Sequence, residues 1–255
     1  MKLIDSHTHL YSKEFATDFE QVLQRARDAG VAKFYLPGID SEVIEEMLRL
    51  EQQYPGEFFP MMGLHPCSVK EDYLKELEII EKYLSQTKFV AVGEIGLDFY
   101  WDTTYKQQQY DAFNKQMELA LKYQSPIVIH TRNAMQDTIT AVKPFAARGL
   151  RGIFHCFGDS NEVAKQIIEL GFYLGIGGVV TYKNANLGET LKDVSLDHMV
   201  LETDAPYLSP VPYRGKRNES SYLTFIAGKL ATIKNVSVEE VAAITSANAE
   251  KIFGQ

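Results

Sequence analysis

The sequence predicts an α/β protein in which eight parallel strands and the helices between them close into a (β/α)₈ TIM barrel. Short apolar runs alternate with amphipathic stretches eight times along the chain. The length of 255 residues suits a barrel, which typically needs about 250 residues. Polar, chemically useful side chains follow the ends of most apolar runs. We therefore expect one domain over residues 1–255, with an extra helix at the C-terminal end.

The eight strand candidates are apolar almost throughout, which is typical of parallel strands buried on both faces. In chain order they are Lys2–Ser6, Ala32–Leu36, Phe58–Leu64, Phe89–Ile95, Ile127–Thr131, Gly152–Cys156, Phe172–Gly177 and Met199–Thr203. A doubly wound open sheet is the alternative for such an alternating pattern. No Gly-x-Gly-x-x-Gly follows the first strand, which argues against dinucleotide binding.

Amphipathic stretches fill the intervals between these strands. Two of them open on capping boxes, Thr17-Asp18-Phe19-Glu20 and Ser237-Val238-Glu239-Glu240. The others run from Ser41 to before Pro55 and over Glu71–Ser85, Lys106–Tyr123, Asn133–Ala147, Ser160–Leu170 and Ser220–Lys234. The helical pattern is weakest after the seventh strand, around Tyr182-Lys183-Asn184. The second capping box predicts the extra helix, which extends to Phe253.

Charge and cysteine content narrow the class of protein. The net charge of −8 argues against bulk electrostatic binding to nucleic acid but leaves room for a local basic patch or for metal-mediated phosphate binding. Two cysteines, Cys67 and Cys156, are too few for a disulfide framework. We expect reduced thiols, a soluble cytoplasmic protein with no membrane partner, and a monomer, because no feature specifies an oligomer.

Five of the six histidines follow predicted strand ends, where TIM-barrel enzymes place their chemistry. His7 and His9 are two residues apart and so face the same side if the strand geometry continues. Carboxylates end two further strands. The candidate metal ligands are His7, His9, Glu94, His130, His155 and Asp204. Because six ligands exceed one tetrahedral site, we predict two divalent ions, Mg²⁺, Mn²⁺ or Zn²⁺, that share a carboxylate and an activated water.

Each candidate ligand has an alternative interpretation. His130 and His155 could be core histidines with satisfied hydrogen bonds, and Glu94 could be an ordinary ion-pair partner. Glu202 competes with Asp204 as a ligand; we favour Asp204 because it ends its strand just before a proline. After the third strand, His65 is either a neighbour of the metals or a contact for substrate.

Taken together, the strand-end motifs resemble the TatD family of metal-dependent deoxyribonucleases, within the amidohydrolase superfamily. The motifs are His7-x-His9, Gly93-Glu94-Ile95-Gly96-Leu97-Asp98, His130-Thr131-Arg132, His155-Cys156-Phe157 and Glu202-Thr203-Asp204-Ala205-Pro206-Tyr207-Leu208. Their combination is highly specific and covers nearly the whole chain. The sequence departs from the family pattern at Asn133, Gly158 and Ser220, none of which is an expected ligand.

The resemblance implies a (β/α)₈ barrel that holds two divalent metals. By the family pattern, His7, His9 and Asp204 bind one metal, His130 and His155 bind the other, and Glu94 bridges them. The implied activity is hydrolysis of DNA phosphodiester bonds, commonly as a 3'-5' exonuclease on single-stranded ends. Glu94 and Asp204 are then the catalytic residues, and Asp204 orients or deprotonates the attacking water.

Basic residues supply candidate phosphate contacts. The loop after the eighth strand has the densest basic cluster of the chain, Arg214, Lys216 and Arg217, which we expect to hold substrate phosphates by charge-assisted hydrogen bonds. The alternative is a solvated surface run. Arg132, just past His130, is a second phosphate candidate, and its alternative is a structural ion pair.

Aromatic residues supply candidate contacts for bases. Phe99, Tyr100 and Trp101 follow the fourth strand, and aromatic rings at a barrel mouth can stack an unpaired base. The alternative is a loop that packs on its own barrel.

Two other functions compete with a DNA phosphodiesterase. A binuclear hydrolase of a small phosphate ester, amide or lactone fits the acidic net charge slightly better, whereas Glu94 and the basic loop argue against it. Many binuclear amidohydrolases carry a carboxylated lysine where this chain has Glu94. A non-catalytic binding module would be free to lose ligands, and here the whole set is intact.

Overall fold

A computed structural model describes residues 1–254 and shows the predicted α/β architecture. Its strands are β1 Leu3–Asp5, β2 Val31–Leu36, β3 Phe58–Pro60, β4 Val92–Asp98, β5 Ile127–Arg132, β6 Gly152–Phe154, β7 Tyr173–Ile176 and β8 Met199–Leu201. They pair in chain order as β1-β2-β3 and β4-β5-β6-β7-β8, and every pair is parallel.

Contacts at two seams join these sheets into a TIM barrel. A parallel bridge between Met62 and Val92 continues β3 onto β4. At the other seam, the amide of Ser6 donates to the carbonyl of Leu201 at 3.0 Å, which joins β1 to β8. The barrel prediction is therefore confirmed, and the open doubly wound sheet is excluded.

Helices follow the strands around the outside of the barrel. They are α1 Phe19–Asp28, α2 Ile44–Gln53, α3 Tyr73–Gln86, α4 Lys106–Lys122, α5 Met135–Ala146, α6 Asn161–Glu169, α7 Leu187–Lys192, α8 Leu223–Lys234 and α9 Val238–Phe253. The shortest, α7, lies where the helical pattern of the sequence is weakest. Within residues 1–254, no helix has both the length and the apolar character needed to cross a membrane.

The inside of the barrel is an apolar cluster built from the strands and sealed at one end by α9. Its strand and strand-flanking members are Ile4, Tyr35, Met61, Ala91, Val128, Ile153 and Val200. Phe253 of α9 stacks on Tyr35 with ring centroids 4.0 Å apart. Since α9 also contacts the start of β1 through a hydrogen bond from Ser246 to the carbonyl of Lys2, it covers the N-terminal end of the barrel. The opposite end is left for the strand-end residues.

Two local predictions differ from the structure. The first capping box is wrong: Asp18, not Thr17, precedes α1, and its side chain makes no cap hydrogen bond because it pairs with Arg217. Strand β4 begins at Val92 rather than Phe89, although Phe89 is buried. A buried apolar residue just before a strand makes a prediction based on hydrophobicity start the strand too early. The second capping box forms, with the amide of Glu240 donating to Ser237 Oγ at 3.1 Å.

Candidate metal centre

The predicted ligands converge at the C-terminal end of the barrel, around one carboxylate. Glu94 of β4 is buried, and its Oε2 atom lies 3.2 Å from His7 Nε2 and 3.8 Å from His9 Nε2. Its Oε1 atom faces three other imidazoles: His65 Nε2 at 3.4 Å, His130 Nδ1 at 3.0 Å and His155 Nε2 at 2.9 Å. The two oxygens of Glu94 therefore divide five histidines into two groups.

Asp204 joins the first of these groups. Its Oδ1 atom lies 3.3 Å from His9 Nε2 and 3.6 Å from His7 Nε2. Strand β8 has ended by this point, and Asp204 has a left-handed backbone with a φ of 57°, which breaks the alternation of the strand. Glu202 points elsewhere, because its Oε1 atom lies 3.4 Å from His155 Nδ1. The geometry places Asp204, and not Glu202, beside the His7–His9 pair.

Glycines let neighbouring strands bring these groups together. Gly96 has a φ of 149°, and a Cβ atom there would overlap the carbonyl of His130. At Gly175, a Cβ atom would overlap the carboxylate of Glu202. The spacing Gly93-Glu94-Ile95-Gly96 thus reflects close packing of β4 on β5 beside the histidines.

Tyr11 is a partner of the centre that the sequence reasoning missed. Its hydroxyl donates to the carbonyl of Pro37 at 2.7 Å and lies 2.7 Å from His9 Nδ1. Because the single hydroxyl proton goes to Pro37, the hydroxyl accepts from His9 Nδ1–H. This bond directs the lone pair of His9 Nε2 toward Glu94 and Asp204, as partners of metal-binding histidines do. The only clue in the sequence is that Tyr11 follows His9 by two residues.

Asp98 holds His130 in a similar way. Its Oδ2 atom lies 2.9 Å from His130 Nε2, so His130 Nδ1 faces Glu94. Its Oδ1 atom accepts hydrogen bonds from the amides of Tyr100 and Trp101. Asp98 lies in the strand-four motif, but nothing in the sequence alone links it to His130.

His65 differs from His9 in which ring nitrogen carries the proton. Its Nδ1 atom accepts a hydrogen bond from the amide of Cys67 at 3.0 Å. The proton of the neutral ring then lies on Nε2, which points to Glu94. A protonated Nε2 donates a hydrogen bond and offers no lone pair to a metal. Of the two predicted alternatives, this geometry favours a neighbour of the metals, because the Nε2–H donor faces the carboxylate of Glu94.

The charges of the centre are strongly coupled. Burial opposes ionisation of Glu94, yet the surrounding histidines, led by His155, hold the pKa of its carboxyl well below the usual value. Burial also opposes the charge on His155, but Glu94 and Glu202 raise the pKa of its imidazole well above the usual value. For His7, burial and the nearby His155 lower the pKa. The buried carboxylates therefore favour positive charge on the groups beside them, and a divalent cation can supply such charge.

Unpaired buried nitrogens show that the donor set suits a cation. Among residues 1–254, both ring nitrogens of the fully buried His7 lack a hydrogen-bond partner, and such a group costs about 1–3 kcal/mol when it stays unpaired. Two overlapping sets, His7–His9–Glu94 and His7–His155–Asp204, have ligand atoms that all lie within 4.8 Å of one another. The atoms of His65–Glu94–His130 are equally close, but there His65 contributes an N–H donor rather than a lone pair. Metal–nitrogen bonds of about 2.0–2.1 Å require ligand atoms at such close spacing. The residues fit divalent metal binding.

The predicted substrate residues fall into two groups. The guanidinium of Arg132 lies 3.9 Å from the ring centroid of Tyr100, and that of Arg214 lies 3.9 Å from the centroid of Tyr182. Lys216 Nζ lies 6.0 Å from the centroid of Tyr213. Within residues 1–254 none of the three cations forms an ion pair, so each remains available to a phosphate.

Arg217 does not belong with these cations. It makes two hydrogen bonds to the carboxylate of Asp18, at 2.8 and 2.6 Å, and its guanidinium carbon lies 4.8 Å from the centroid of Phe15. The pair lowers the pKa of Asp18, chiefly through the hydrogen bonds. Because Asp18 already balances its charge, Arg217 ties the loop after β8 to α1 and is less free to bind a phosphate than Arg214 and Lys216 are.

The comparisons with known proteins place this chain among the metal-dependent hydrolases. The model of the family described as TatD related DNase matches residues 4–254. The chain belongs to the TatD family, as the strand-end motifs predict.

The chain aligns with several relatives over nearly the full length of both proteins. The chain is 38% identical over 252 residues to a Bacillus subtilis protein named as an uncharacterized metal-dependent hydrolase, YabD, and covers 98% of both chains. It is 30% identical over 257 residues to an Erwinia tasmaniensis protein named 3'-5' ssDNA/RNA exonuclease TatD, covering 98% of this chain and 99% of that one. The crystal structure of YjjV, a TatD homolog from Escherichia coli K12, has a TM-score of 0.93 at 28% identity, covering 99% of this chain and 98% of that chain.

Proposed function

We propose that this protein is a two-metal nuclease that hydrolyses DNA phosphodiester bonds, as a 3'-5' exonuclease on single-stranded ends. The observation that supports it is the division of the histidines by the two oxygens of Glu94. In this proposal His7, His9 and Asp204 hold one ion of Mg²⁺, Mn²⁺ or Zn²⁺ and His130 and His155 hold the other, with Glu94 shared. The chain would act as a single hydrolase domain and as a cytoplasmic monomer.

In the proposed reaction, the bound metals and Asp204 contribute different steps. When bound, the divalent ions supply electrophilic stabilisation of the phosphate and acidify water. The side chain of Asp204 is 13% exposed and so reaches solvent at the mouth, where its carboxylate orients the attacking water and accepts its proton. Burial opposes this charge, but His9 and the other histidines lower the pKa of Asp204, so it is ionised at neutral pH and acts as a base.

Substrate would be held by donors around the mouth. Arg132, Arg214 and Lys216 would supply charge-assisted hydrogen bonds to phosphate oxygens. His65, whose Nε2–H lies 3.4 Å from Glu94 Oε1, would contact substrate only where a phosphate oxygen shares that proton. Three cations that have no carboxylate partner within residues 1–254 favour a polyanionic substrate over a small neutral amide or lactone. The Erwinia relative named for action on single-stranded DNA and RNA supports the same choice. A small phosphate ester is the second candidate, favoured by the net charge of −8.

A metal-dependence assay tests the nuclease proposal. Metal-stripped protein is incubated with single-stranded DNA labelled at its 5' end, and Mg²⁺, Mn²⁺ or Zn²⁺ is added singly. We expect metal-dependent shortening from the 3' end, seen as a ladder of labelled products. The Glu94→Ala, Asp204→Ala double variant, purified in the same way, should leave the strand intact.

The other outcomes of this assay are equally informative. Equal digestion by the variant would reveal a contaminating nuclease. A protein that binds two metals but leaves DNA and RNA of the same sequence intact would point to a small phosphate ester as substrate. Immediate release of labelled mononucleotide would reverse the proposed polarity.

Tyr11→Phe tests how the metal ligands are oriented. Without its hydroxyl, His9 loses the partner that fixes its tautomer, and loss of such a partner typically lowers metal affinity about 10–100-fold. Titration with a competing chelator measures the affinity. Tyr83→Phe is the matched control, because its hydroxyl bonds Glu45 at the protein surface. Equal affinities for the two variants would mean that Tyr11 does not orient His9.

A further inference from the structure

An exposed aromatic pair lies on the loop after β4, next to the candidate metal centre. Trp101 is 67% exposed and Tyr100 is 51% exposed, and their rings meet edge to face with centroids 4.9 Å apart. The preceding Phe99 packs against the apolar core instead. Packing of the loop on its own barrel therefore accounts for Phe99 and leaves the other two rings facing solvent.

Arg132 completes a cluster with these rings. Its guanidinium carbon lies 3.9 Å from the centroid of Tyr100 and 5.0 Å from that of Trp101. An arginine that lies over aromatic rings still has N–H donors that can bind other partners. The cluster thus offers aromatic surface and a cation that has no carboxylate partner among residues 1–254. Unpaired bases and the phosphates that link them match this combination.

The loop is fixed at both of its ends. Asp98 accepts the amides of Tyr100 and Trp101 at 2.9 and 3.1 Å. Gln109 donates to the carbonyls of Asp98 and Asp102, which closes the loop on α4. A surface that is ordered before binding loses little conformational entropy when a ligand binds. The entropic cost of binding a ligand to these rings is therefore low.

The same carboxylate joins the aromatic cluster to the metal centre. While Oδ1 of Asp98 holds the loop, its Oδ2 atom lies 2.9 Å from His130 Nε2, and His130 Nδ1 lies 3.0 Å from Glu94. One chain of contacts thus runs from the exposed rings to the bridging carboxylate. A nucleotide on the rings would therefore lie on the loop that directly follows β4, the strand that carries Glu94.

We propose that Tyr100, Trp101 and Arg132 form a stacking subsite for one unpaired nucleobase of the substrate strand. This inference rests on the proposed nuclease function and deepens it. Stacking on an aromatic ring is sequence-tolerant because every base has a π-face. It also selects single strands, since a base inside a duplex has both faces covered. Loss of one such contact should weaken binding about 10–100-fold.

The single tryptophan makes the subsite directly observable. Trp101 is the only tryptophan in the chain, so fluorescence reports on this position alone. Metal-loaded protein is titrated with a short phosphorothioate-linked single strand, which resists hydrolysis. Two probes of equal length and linkage accompany it, an abasic strand and a blunt duplex. We expect strong quenching and tight binding for the single strand, and little quenching with about 10–100-fold weaker binding for the abasic strand.

Variants separate stacking from general charge attraction. Tyr100→Ala should weaken binding of the single strand but leave binding of the abasic strand unchanged. Arg132→Ala should weaken binding of both strands. Phe225→Ala is the matched control, an exposed aromatic residue of α8 that should behave like the wild type. Circular dichroism checks that each variant is folded. The comparison of the DNA probes with the wild-type protein tests the subsite even if a variant does not fold.

The outcomes distinguish this subsite from the nuclease function itself. Suppose that the protein cleaves DNA but that the single strand, the abasic strand and the duplex bind equally tightly and quench Trp101 equally. The proposed stacking subsite is then wrong, and the nuclease proposal stands. If the single strand alone quenches Trp101 and no cleavage occurs with any metal, the subsite stands and the nuclease proposal fails. Absence of quenching by every probe would overturn the subsite and point to another occupant for the exposed rings.

Discussion

Glu94→Gln is expected to reduce hydrolysis by about 10³-fold or more, because the shared ligand contributes several kcal/mol of transition-state stabilisation. Both oxygens of Glu94 face imidazole nitrogens, one on each side. Glutamine keeps the shape but removes the negative charge and puts an amide nitrogen, which is no metal ligand, on one side. Metal content per chain should fall from two to one or fewer under the proposal.

Two measurements check this expectation in the same sample. Elemental analysis gives the metal content, and single-turnover cleavage of single-stranded DNA gives the rate of the chemical step. Glu81→Gln is the matched control, an exposed carboxylate paired with Lys115 and Lys122, and it should change neither value. If Glu94→Gln kept two metals and cleaved within about threefold of the wild type, a rate change worth well under 1 kcal/mol, the shared-carboxylate proposal would be lost.

The sequence could predict the barrel and the gathering of the histidines because both depend on a repeating pattern. Parallel strands buried on both faces appear as apolar runs, and the polar residue that ends each run reaches the same end of a barrel. His7, His130 and Asp204 are far apart in sequence, yet each follows or ends such a run. Their convergence required only that the strands close in order, which the structure shows.

Contacts between distant side chains could not be predicted in this way. Asp98 and His130 are 32 residues apart and meet only because β4 and β5 pair in one register. Arg217 looks like part of a phosphate-binding loop until its partner Asp18, 199 residues away, is seen. A run of basic residues shows where charge lies along the chain, but whether that charge is free depends on which element packs beside it.

The tautomer of His65 is a second feature that only the structure supplies. The amide of Cys67 donates to His65 Nδ1 because the chain turns into a short 3₁₀ helix directly after Gly63-Leu64-His65. From the residue type alone, His65 could equally be a metal ligand or a hydrogen-bond donor. The local backbone decides between them, and it assigns His65 to a different part of the proposed mechanism from its four neighbours.

Asp204→Asn is expected to lower kcat by about 10²–10⁴-fold, the usual contribution of a general base, with a much smaller change in the KM for single-stranded DNA. Asparagine keeps an oxygen where Asp204 Oδ1 faces His9 and His7, so a metal ligand remains, but it cannot accept a proton from water. The split between kcat and KM separates a base from a residue that only helps to bind substrate.

Metal content again decides between the two proposed contributions of Asp204. With both metals retained and kcat lost, the carboxylate acts on the water; with one metal lost in proportion to the activity, it acts chiefly as a ligand. Asp193→Asn, an exposed carboxylate at the end of α7, is the matched control and should behave like the wild type. If Asp204→Asn kept its kcat, another group must take the proton. Asp204 would then not be the general base, and Glu202, whose Oε1 atom lies 3.4 Å from His155 Nδ1, would be the next carboxylate to test.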